Sequence, residues 1–340
     1  MDTDLTRQNG SKNAAQVYER PQACNLCGGH SVEQVGSHDR RGNPLETVIC
    51  TGCGLISHAH IPSDEELAAY YAQQYRRDYH GQAAPSAHRV VRAWKMGRRL
   101  YRRLRNQVRP GDRVFEIGAG LGCNLKPFQV AGHSASGIEP GEGFQAFARQ
   151  MLHVDVAKAT LEDLAPEPAY DFILLVHVIE HLPDPQAALR HICGLLRSGG
   201  RLYVECPNIG APHAAPGKMF HYAHIFNFTH ETLIALARAA GFRVQRKLSR
   251  PHGRNLMIVF EKARRPEHAI PEDGYRGTLA RITRYDQWTY HLRPSYLLSR
   301  LGILLDLYGD RLLARRRLRG IVARCQRTGK PVQAPRRDAA

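Results

Sequence analysis

Residues 114–124, with the sequence Val-Phe-Glu-Ile-Gly-Ala-Gly-Leu-Gly-Cys-Asn, restrict the fold of this 340-residue chain more than any other segment. A short apolar run ends there in a glycine-rich turn, and a helical pattern follows. Glycines in such a turn let the backbone approach a ligand closely, and the start of the helix offers free N–H groups. The pattern predicts a strand–turn–helix unit that binds a nucleotide. Cys123 stands where the dinucleotide fingerprint needs its third glycine, which disfavours a nicotinamide cofactor.

Short β-rich runs alternate with helical patterns between residues 81 and 263. The predicted strands are 113–119, 133–139, 170–178 and 200–207, and a helix is predicted over 185–197. Alternating units of this kind favour a parallel sheet covered by helices on both faces. Residues 242–249 and 255–262 flank a run of turn residues, so they are expected to form a β-hairpin.

Four of the eight cysteines form two Cys-x2-Cys pairs near the start of the chain, Cys24 with Cys27 and Cys50 with Cys53. A glycine follows each pair and permits a tight backbone turn around a metal. The spacing is close to that of zinc ribbons, in which four thiolates hold one zinc ion. The alternatives are a redox dithiol, which needs only one pair, and an iron–sulfur cluster, which usually has other spacings. Because protein supplies all four ligands, we expect Zn²⁺ to have a structural role.

The glycine-rich turn and the carboxylate that follows it resemble the cofactor site of class I S-adenosylmethionine-dependent methyltransferases. The matching residues are Glu116, Gly118, Gly120 and Gly122, with Glu139 at the end of the next predicted strand. Residues 170–185 are similar to the fourth strand and following loop of that family, and residues 224–242 to its late helix and sixth strand. The resemblance spans about 110–263. It implies a Rossmann-like α/β fold with a seven-stranded, mostly parallel sheet whose last strand is antiparallel.

The resemblance also implies which residues bind S-adenosylmethionine. Glu116 is expected to orient the methionine amino group, and Glu139, at a strand end, to accept both ribose hydroxyls. Leu161 and Glu162 follow the third strand, where family members usually contact the adenine ring, and His177 is a candidate for lining the pocket. The predicted cofactor-binding residues are therefore Glu116, Gly118, Gly120, Gly122, Glu139, Leu161, Glu162 and His177.

Methyl transfer from a sulfonium is an in-line displacement, so the protein mainly has to hold the acceptor atom near the methyl group. A hydroxyl or carbon acceptor also needs a base to take its proton. Candidate bases follow the fourth and fifth strands, because ligands bind at the carboxyl ends of strands in open α/β sheets. Glu205 ends the fifth strand, and His221 and His224 lie in the loop after it, while His181 is expected to orient the preceding loop. A histidine at a position like His224 is proposed to act in catalysis in related sugar methyltransferases, so His224 is the first candidate base.

The cysteine pairs narrow the resemblance to methyltransferases with a zinc ribbon, which are found among sugar C- and O-methyltransferases and in surface-glycan or natural-product pathways. We expect a zinc ribbon and linker over 1–80, a methyltransferase domain over 81–263, and a basic, mainly helical extension with a disordered tail over 264–340. The implied acceptor is a small molecule, a sugar or glycan intermediate linked to a nucleotide or a lipid. An RNA methyltransferase and a catalytically idle scaffold are the alternatives.

The net charge of +17 is concentrated in two segments. Residues 80–110 contain nine Lys or Arg and no Asp or Glu, and residues 264–340 contain seventeen against seven. Such charge is explained either by solvated helix faces that aid solubility or by an anionic partner. That partner is a phosphate-bearing substrate, a nucleic acid or an acidic membrane surface. Arg92 and Arg99 are candidates to meet a phosphate, and residues 290–325, with a Leu-rich helix predicted over 296–319, are candidates for peripheral membrane contact. The polar start has no signal-peptide core, so we expect a cytoplasmic protein.

Overall fold

A five-stranded antiparallel sheet is built around the two cysteine pairs. The computed structural model describes residues 17–70, 85–212, 214–250, 252–293, 296 and 313–327. Its first four strands, β1 (Val17–Glu19), β2 (Ser31–His38), β3 (Pro44–Cys50) and β4 (Ile56–His58), pair in that order, and helix α1 (Asp64–Tyr70) follows. One cysteine pair lies between β1 and β2 and the other at the turn from β3 to β4. Both turns are therefore at the same end of the sheet. We call residues 17–58 the ribbon.

Seven strands form the second sheet: β5 (Arg113–Ile117), β6 (Ser134–Ile138), β7 (Asp155–Ala157), β8 (Tyr170–Val176), β9 (Leu196–Pro207), β11 (Phe242–Lys247) and β12 (Asn255–Lys262). Their order is β11-β12-β9-β8-β5-β6-β7. The strands from β5 to β9 pair in parallel, whereas β12 runs antiparallel to both of its neighbours. This arrangement confirms the predicted Rossmann-like fold, including the antiparallel last strand and the hairpin.

Helices cover both faces of this sheet, and its central strand is buried from both sides. The helices are α2 (Ala87–Leu104), α3 (Leu125–Val130), α4 (Glu142–Leu152), α5 (Pro185–Leu195) and α6 (His230–Ala239), and a 3-10 turn spans Ile179–His181. In β8, four consecutive side chains from Phe172 to Leu175 are fully buried. A parallel strand covered on both faces is expected to read as such a continuous apolar run.

The predicted boundary between helix α5 and strand β9 was wrong. The helix predicted over 185–197 ends at Leu195, and β9 begins at Leu196 rather than at residue 200. Leu196 is fully buried and pairs with Tyr170 of β8, and its carbonyl accepts a hydrogen bond of 2.7 Å from Lys262 Nζ. These tertiary contacts place Leu196 in the sheet, so the helix ends before the glycine pair Gly199–Gly200, which is the local sequence signal for a helix end.

The two sheets are joined by a strand of two residues. β10 (Phe226–Asn227) follows the loop after β9 and pairs antiparallel with β4, where Phe226 is opposite Ser57. The backbone N–H of His58 also donates to the carbonyl of Ile225 at 3.0 Å, and that of Arg40 to Phe220 at 2.9 Å. The segment that carries the predicted catalytic histidines is therefore bonded directly to the ribbon.

The chain after β12 returns to both sheets. Helices α7 (Gly274–Ile282) and α8 (Gln287–His291) are followed by a helix over 313–327, α9. Gly274 lies so close to the ribbon that a Cβ there would be 2.2 Å from the carbonyl oxygen of Cys53. In α9, Cys325 is buried in the core beneath α2 and α3. Of the predicted helix over 296–319, residues 297–312 lie outside the described residues, as does the predicted disordered tail beyond Gly329.

The described helices include none with the length and apolar character needed to cross a membrane.

Candidate active site

The glycine-rich turn after β5 leaves open space above its backbone. Gly118, Gly120 and Gly122 all have positive φ angles, between 52° and 71°. Gly120 is the one with room around it, because a Cβ placed there would meet no atom within 4 Å. A ligand can therefore reach the backbone at Gly120, as the sequence pattern predicted for a nucleotide-binding turn.

Glu116 is a buried carboxylate at the end of β5 with one oxygen unpaired. Its Oε1 accepts a 2.7 Å hydrogen bond from Asn124 Nδ2, and its Oε2 has no hydrogen-bond partner among the described residues. Burial raises the pKa of Glu116 to about 8, against the lowering effect of Asn124, and the charge of Glu139 raises it further. An orphaned buried carboxylate oxygen is costly, and a cationic ligand group such as an ammonium would satisfy it.

Glu139, after β6, joins two parts of the same pocket. Its Oε2 accepts a hydrogen bond from the Gly120 N–H at 2.9 Å, and its Oε1 accepts one from the Gly141 N–H at 2.8 Å. Burial raises the pKa of Glu139, partly offset by these two bonds and by the charge of Arg89. The carboxylate is thus held at the edge of the open space, where each oxygen keeps a second lone pair for hydroxyl donors.

The two residues predicted at the adenine ring have different surroundings. Leu161 is buried in the apolar core, whereas Glu162 is exposed. The charged residues proposed for a phosphate, Arg92 and Arg99, are both exposed on α2.

His177 follows β8 in a backbone conformation that is uncommon for a residue with a side chain. Its φ is 55°, and its N–H donates to the Glu205 carbonyl at 2.7 Å. Its ring is held between Glu180 Oε1, 3.2 Å from Nδ1, and Asn255 Nδ2, 3.3 Å from Nε2. Burial lowers the pKa of His177, but Glu180 and Glu205 outweigh it and the net shift is upward. Left-handed residues of this kind concentrate at functional sites.

Glu205, one of the predicted catalytic residues, is fully engaged by other side chains. Oε2 accepts a hydrogen bond from the Tyr203 hydroxyl at 2.6 Å and lies 3.5 Å from an Arg103 nitrogen. Oε1 accepts a 2.8 Å bond from Asn255 Nδ2. These three donors occupy both carboxylate oxygens of Glu205. Glu205 also holds Asn255, whose Nδ2 contacts His177, and its catalytic role stays a prediction.

His181, His221 and His224 form a cluster beside the end of β8. The ring centroids of His181 and His224 are 5.0 Å apart, and those of His221 and His224 are 5.4 Å apart. His181 Nδ1 lies 2.5 Å from the Ala223 carbonyl, and His221 Nδ1 accepts a hydrogen bond from the Ala223 N–H at 3.1 Å. The predicted candidates from two different loops are thus brought together.

Burial keeps two histidines of this cluster uncharged. It lowers the pKa of His221 to about 4 and that of His224 to about 3, and the neighbouring positive groups add to the effect. Glu180 lies at the base of the cluster with its Oε2 unpaired, and its pKa is lowered overall because His177 and His181 outweigh its burial. One atom each from Glu180, His181 and His224 lies within 4.8 Å of the others, a spacing at which three side chains can also hold a cation.

The four ribbon cysteines converge as the sequence predicted. Sγ of Cys24 is 3.5 Å from that of Cys53, Sγ of Cys27 is 3.4 Å from that of Cys50, and all four lie within 4.8 Å of one another. Tetrahedral zinc with Zn–S bonds of about 2.3 Å separates its sulfurs by about 3.8 Å. The donor set and its spacing therefore fit one zinc ion.

Residues 87–247 match the family described as "Methyltransferase domain". We call residues 87–247, which match this family, the methyltransferase domain. The match covers the glycine-rich turn, both carboxylates of the open pocket and the histidine cluster. It begins with helix α2 and ends within β11, so the ribbon lies outside it.

Two curated relatives of the methyltransferase domain are named ubiquinone biosynthesis O-methyltransferase. The one from Marinobacter nauticus is 30% identical over 109 residues, which are 29% of this chain and 45% of the relative. The one from Paramagnetospirillum magneticum is 32% identical over 161 residues, 43% of this chain and 64% of the relative. This chain therefore spans about half of the first relative's length and less than two thirds of the second's.

A solved methyltransferase also aligns with the chain. It is the 1,6-didemethyltoxoflavin-N1-methyltransferase of Burkholderia thailandensis, 22% identical, covering 62% of this chain and 96% of that chain with a TM-score of 0.43. A superposition at that score supports no argument about individual residues.

Proposed function

We propose that the protein is an S-adenosylmethionine-dependent methyltransferase that methylates a hydroxyl group of a small molecule, a sugar or glycan intermediate linked to a nucleotide or a lipid. The observation that carries the proposal is the unpaired, buried Oε2 of Glu116 beside the open backbone of Gly120, within a methyltransferase domain. The relatives' names support oxygen as the accepting atom. The sugar or glycan character of the acceptor rests on the resemblance of the cysteine pairs and the methyltransferase motifs to sugar methyltransferases.

The pocket residues bind and orient the cofactor, which supplies a methyl group activated by its sulfonium sulfur. Glu116 accepts hydrogen bonds from the ammonium group, and its buried charge is then compensated. Glu139 accepts the ribose hydroxyls while it keeps its bonds to the backbone. Residues that hold both ends of S-adenosylmethionine would restrict the position of its methyl group relative to the acceptor, and positioning of this kind removes much of the barrier.

His224 acts as the general base in this proposal. Its low pKa leaves the ring unprotonated at neutral pH, so Nδ1 or Nε2 has a lone pair to take the hydroxyl proton. Once protonated, the ring lies beside the Glu180 carboxylate, whose charge lowers the cost of forming an imidazolium. His181 and His221 flank the ring and restrict its orientation.

We also propose that Cys24, Cys27, Cys50 and Cys53 hold one structural zinc ion, and that the chain acts in the cytoplasm. All four positions around the metal are filled by thiolates, so the zinc has no open position for substrate. We further propose that the chain divides into three parts at residues 80 and 263, and that residues 290–325 make peripheral contact with a membrane surface.

Calorimetric titration with S-adenosylmethionine and S-adenosylhomocysteine tests the cofactor. We expect micromolar binding that a Glu139→Ala variant loses, because that variant removes the ribose acceptor. Failure of the folded, zinc-loaded protein to bind either compound would contradict the methyltransferase proposal.

A methyl-transfer assay with labelled S-adenosylmethionine tests the base and the acceptor. The acceptor panel contains nucleotide sugars and, from the relatives' names, dihydroxylated aromatic compounds. With a productive acceptor, we expect a His224→Asn variant to lose about 10²- to 10⁴-fold in kcat, the usual contribution of a general base, with cofactor affinity unchanged. A His230→Asn variant is the control, because the His230 ring bonds to Ser249 outside the cluster. Full activity of the His224 variant would eliminate this residue as the base.

A further inference from the structure

A chain of hydrogen-bonded side chains ends at Glu180, at the base of the histidine cluster. It begins on β9, where Glu205 Oε1 accepts a hydrogen bond from Asn255 Nδ2 of β12 at 2.8 Å. The same nitrogen of Asn255 lies 3.3 Å from His177 Nε2, and His177 Nδ1 lies 3.2 Å from Glu180 Oε1. Side chains from two strands and from the loop after β8 therefore meet at the His177 ring.

Glu205 determines which way the Asn255 amide faces. Its Oε2 is engaged by the Tyr203 hydroxyl at 2.6 Å and by an Arg103 nitrogen at 3.5 Å, and its Oε1 contacts Asn255. An ionised carboxylate only accepts hydrogen bonds, so the nitrogen of the amide, and not its oxygen, must face Glu205. An amide nitrogen carries two N–H groups. One is directed at Glu205, and the other is left to donate to His177 Nε2.

The Asn255 donor determines where the His177 ring carries its proton. A ring nitrogen that accepts a hydrogen bond has no proton, so the proton of the neutral ring is on Nδ1. That N–H then donates to Glu180 Oε1. The backbone of His177 is fixed as well, because its N–H donates to the Glu205 carbonyl at 2.7 Å. The contacts around the ring therefore specify one tautomer.

The surrounding charges act against this neutral form. The charged and titratable side chains near the ring are Glu180, Glu205, Arg103, His181 and His224. Glu180 and Glu205 outweigh burial and raise the pKa of His177. Asn255 opposes a second proton, because an imidazolium would turn an N–H of Nε2 towards the N–H of the amide.

We propose that Asn255 is a positioning residue: by donating to His177 Nε2, it keeps that ring neutral and leaves the charge of Glu180 to a protonated His224. The inference rests on the proposed function in that His224 is the base. Among the described residues, Glu180 Oε2 has no hydrogen-bond partner, and a ring nitrogen of His224 lies within 4.8 Å of a Glu180 carboxylate oxygen. A second proton on His177 would pair that ring with Glu180 instead, and a further positive charge at His224 would then cost more.

Three variants separate the hydrogen bond from simple packing. Asn255→Asp keeps the shape of the side chain but replaces the donor by an acceptor, which favours a proton on His177 Nε2. Asn255→Leu removes the donor without adding a charge, and we expect the same change to a smaller degree. Asn208→Asp is the control, because the Asn208 amide donates to the Gly253 carbonyl, near the start of β12. Zinc content and affinity for S-adenosylhomocysteine show whether each variant is folded.

Two readouts test the positioning itself. Long-range ¹⁵N–¹H spectra of the imidazole rings distinguish protonated from unprotonated nitrogens without any acceptor. At neutral pH, we expect the parent and the control to carry the His177 proton on Nδ1 alone, and Asn255→Asp to carry protons on both nitrogens. With a productive acceptor, kcat of Asn255→Asp is expected to fall about 10- to 100-fold, a part of the usual contribution of a general base. It is expected to recover at higher pH, where the second proton is lost.

The outcomes that overturn the inference are distinct from those that overturn the proposed function. A parent His177 ring with a proton on Nε2 at neutral pH overturns the inference without any variant. An Asn255→Asp protein whose His177 spectrum or kcat matches the parent's does so as well. If the parent binds no cofactor while its His177 spectra respond as expected, the methyltransferase proposal fails and the control of the His177 proton by Asn255 stands.

Discussion

The buried histidines are the residues on which the protein's electrostatics depend most. His58, His221 and His224 have pKa values lowered to about 4, 4 and 3 because burial disfavours their charged forms. A neutral imidazole keeps a lone pair, so burial leaves the His224 ring unprotonated at neutral pH, while the charge of Glu180 works against this lowering of its pKa. Glu116 is shifted the opposite way, since burial raises its pKa to about 8.

The first prediction concerns the pH dependence of stability at His224. An unfolded histidine titrates near 6.5, so the unfolded chain takes up a proton at this residue as pH falls below 6.5, while the folded chain does so only near 3. The stability that the neutral ring contributes is therefore complete above pH 6.5 and is lost as pH falls towards 3. Between pH 6.5 and 4.5, the loss amounts to at most about 3 kcal/mol.

Urea unfolding at pH 7.0, 5.5 and 4.5, beside a His224→Asn variant, measures this contribution. Protonation of Glu116 stabilises the folded protein as pH falls over this range, because burial raises its pKa to about 8. The contribution of His224 is therefore read from the difference in free energy of unfolding between the parent and the variant. We expect the parent's advantage in free energy of unfolding to shrink as pH falls. A difference that stays constant from pH 7.0 to 4.5 would show that His224 titrates normally.

At the scale of elements, helix α7 connects the ribbon to the methyltransferase domain. Its first residue, Gly274, has its backbone against the carbonyl of Cys53, and the Tyr275 hydroxyl donates to Glu33 of β2. At the other end of the helix, Arg281 forms two bonds of 2.5 and 2.8 Å with Glu231 of α6. One short helix therefore touches a cysteine pair of the ribbon and the domain that carries the proposed chemistry.

The second prediction uses two glycines of this helix. Gly274→Ala places a methyl group 2.2 Å from the Cys53 carbonyl oxygen, so the helix and the knuckle must separate. We expect a loss of about 1–3 kcal/mol in free energy of unfolding, the typical cost of overpacking. Gly277→Ala, three residues later, meets no atom within 4 Å and is expected to be neutral or to stabilise the helix by up to about 1 kcal/mol. Equal effects of the two substitutions in urea unfolding would contradict the packing described here.

The sequence predicted those elements whose signals are local. Apolar runs bounded by turn residues located β5, β8 and β12, and the spacing of Glu116 and Glu139 located the pocket. β10 escaped prediction because two residues carry no periodicity, and its pairing with β4 spans nearly half of the chain. The partners Asn124 and Asn255 were missed for a related reason: each is a polar residue at the start of an element, and its contact is decided by tertiary packing.

At the scale of the whole molecule, the proposed cofactor pocket and the proposed base are supported by different parts of the chain. Glu116, in β5, and Glu139, after β6, bond to Asn124, Gly120 and Gly141 of the methyltransferase domain. The loop of His221 and His224 is instead bonded to the ribbon through the backbones of Arg40 and His58. Loss of the ribbon should therefore affect the two parts unequally.

The third prediction concerns removal of zinc. Structural zinc contributes directly to folding free energy, so a strong chelator or a Cys50→Ser substitution is expected to unfold the ribbon. We expect methyl transfer to be lost, while calorimetric affinity for S-adenosylhomocysteine is largely retained. Zinc returned to the stripped parent should restore the activity, and it should fail to do so in the Cys50 variant. Parallel loss of cofactor binding and activity would show that the two parts are not separable.

The two-residue strand that closes the ribbon's sheet has a consequence for how the chain is made. β4 ends at residue 58, but its partner Phe226 is translated 168 residues later, which at about 5–20 residues per second is a delay of about 8–34 s. Throughout that interval, the edge of β4 that β10 later covers has no partner strand on the growing polypeptide. Expression at lower temperature, which slows elongation, lengthens this window, and the ribbon edge is the place where nascent chains would be expected to associate.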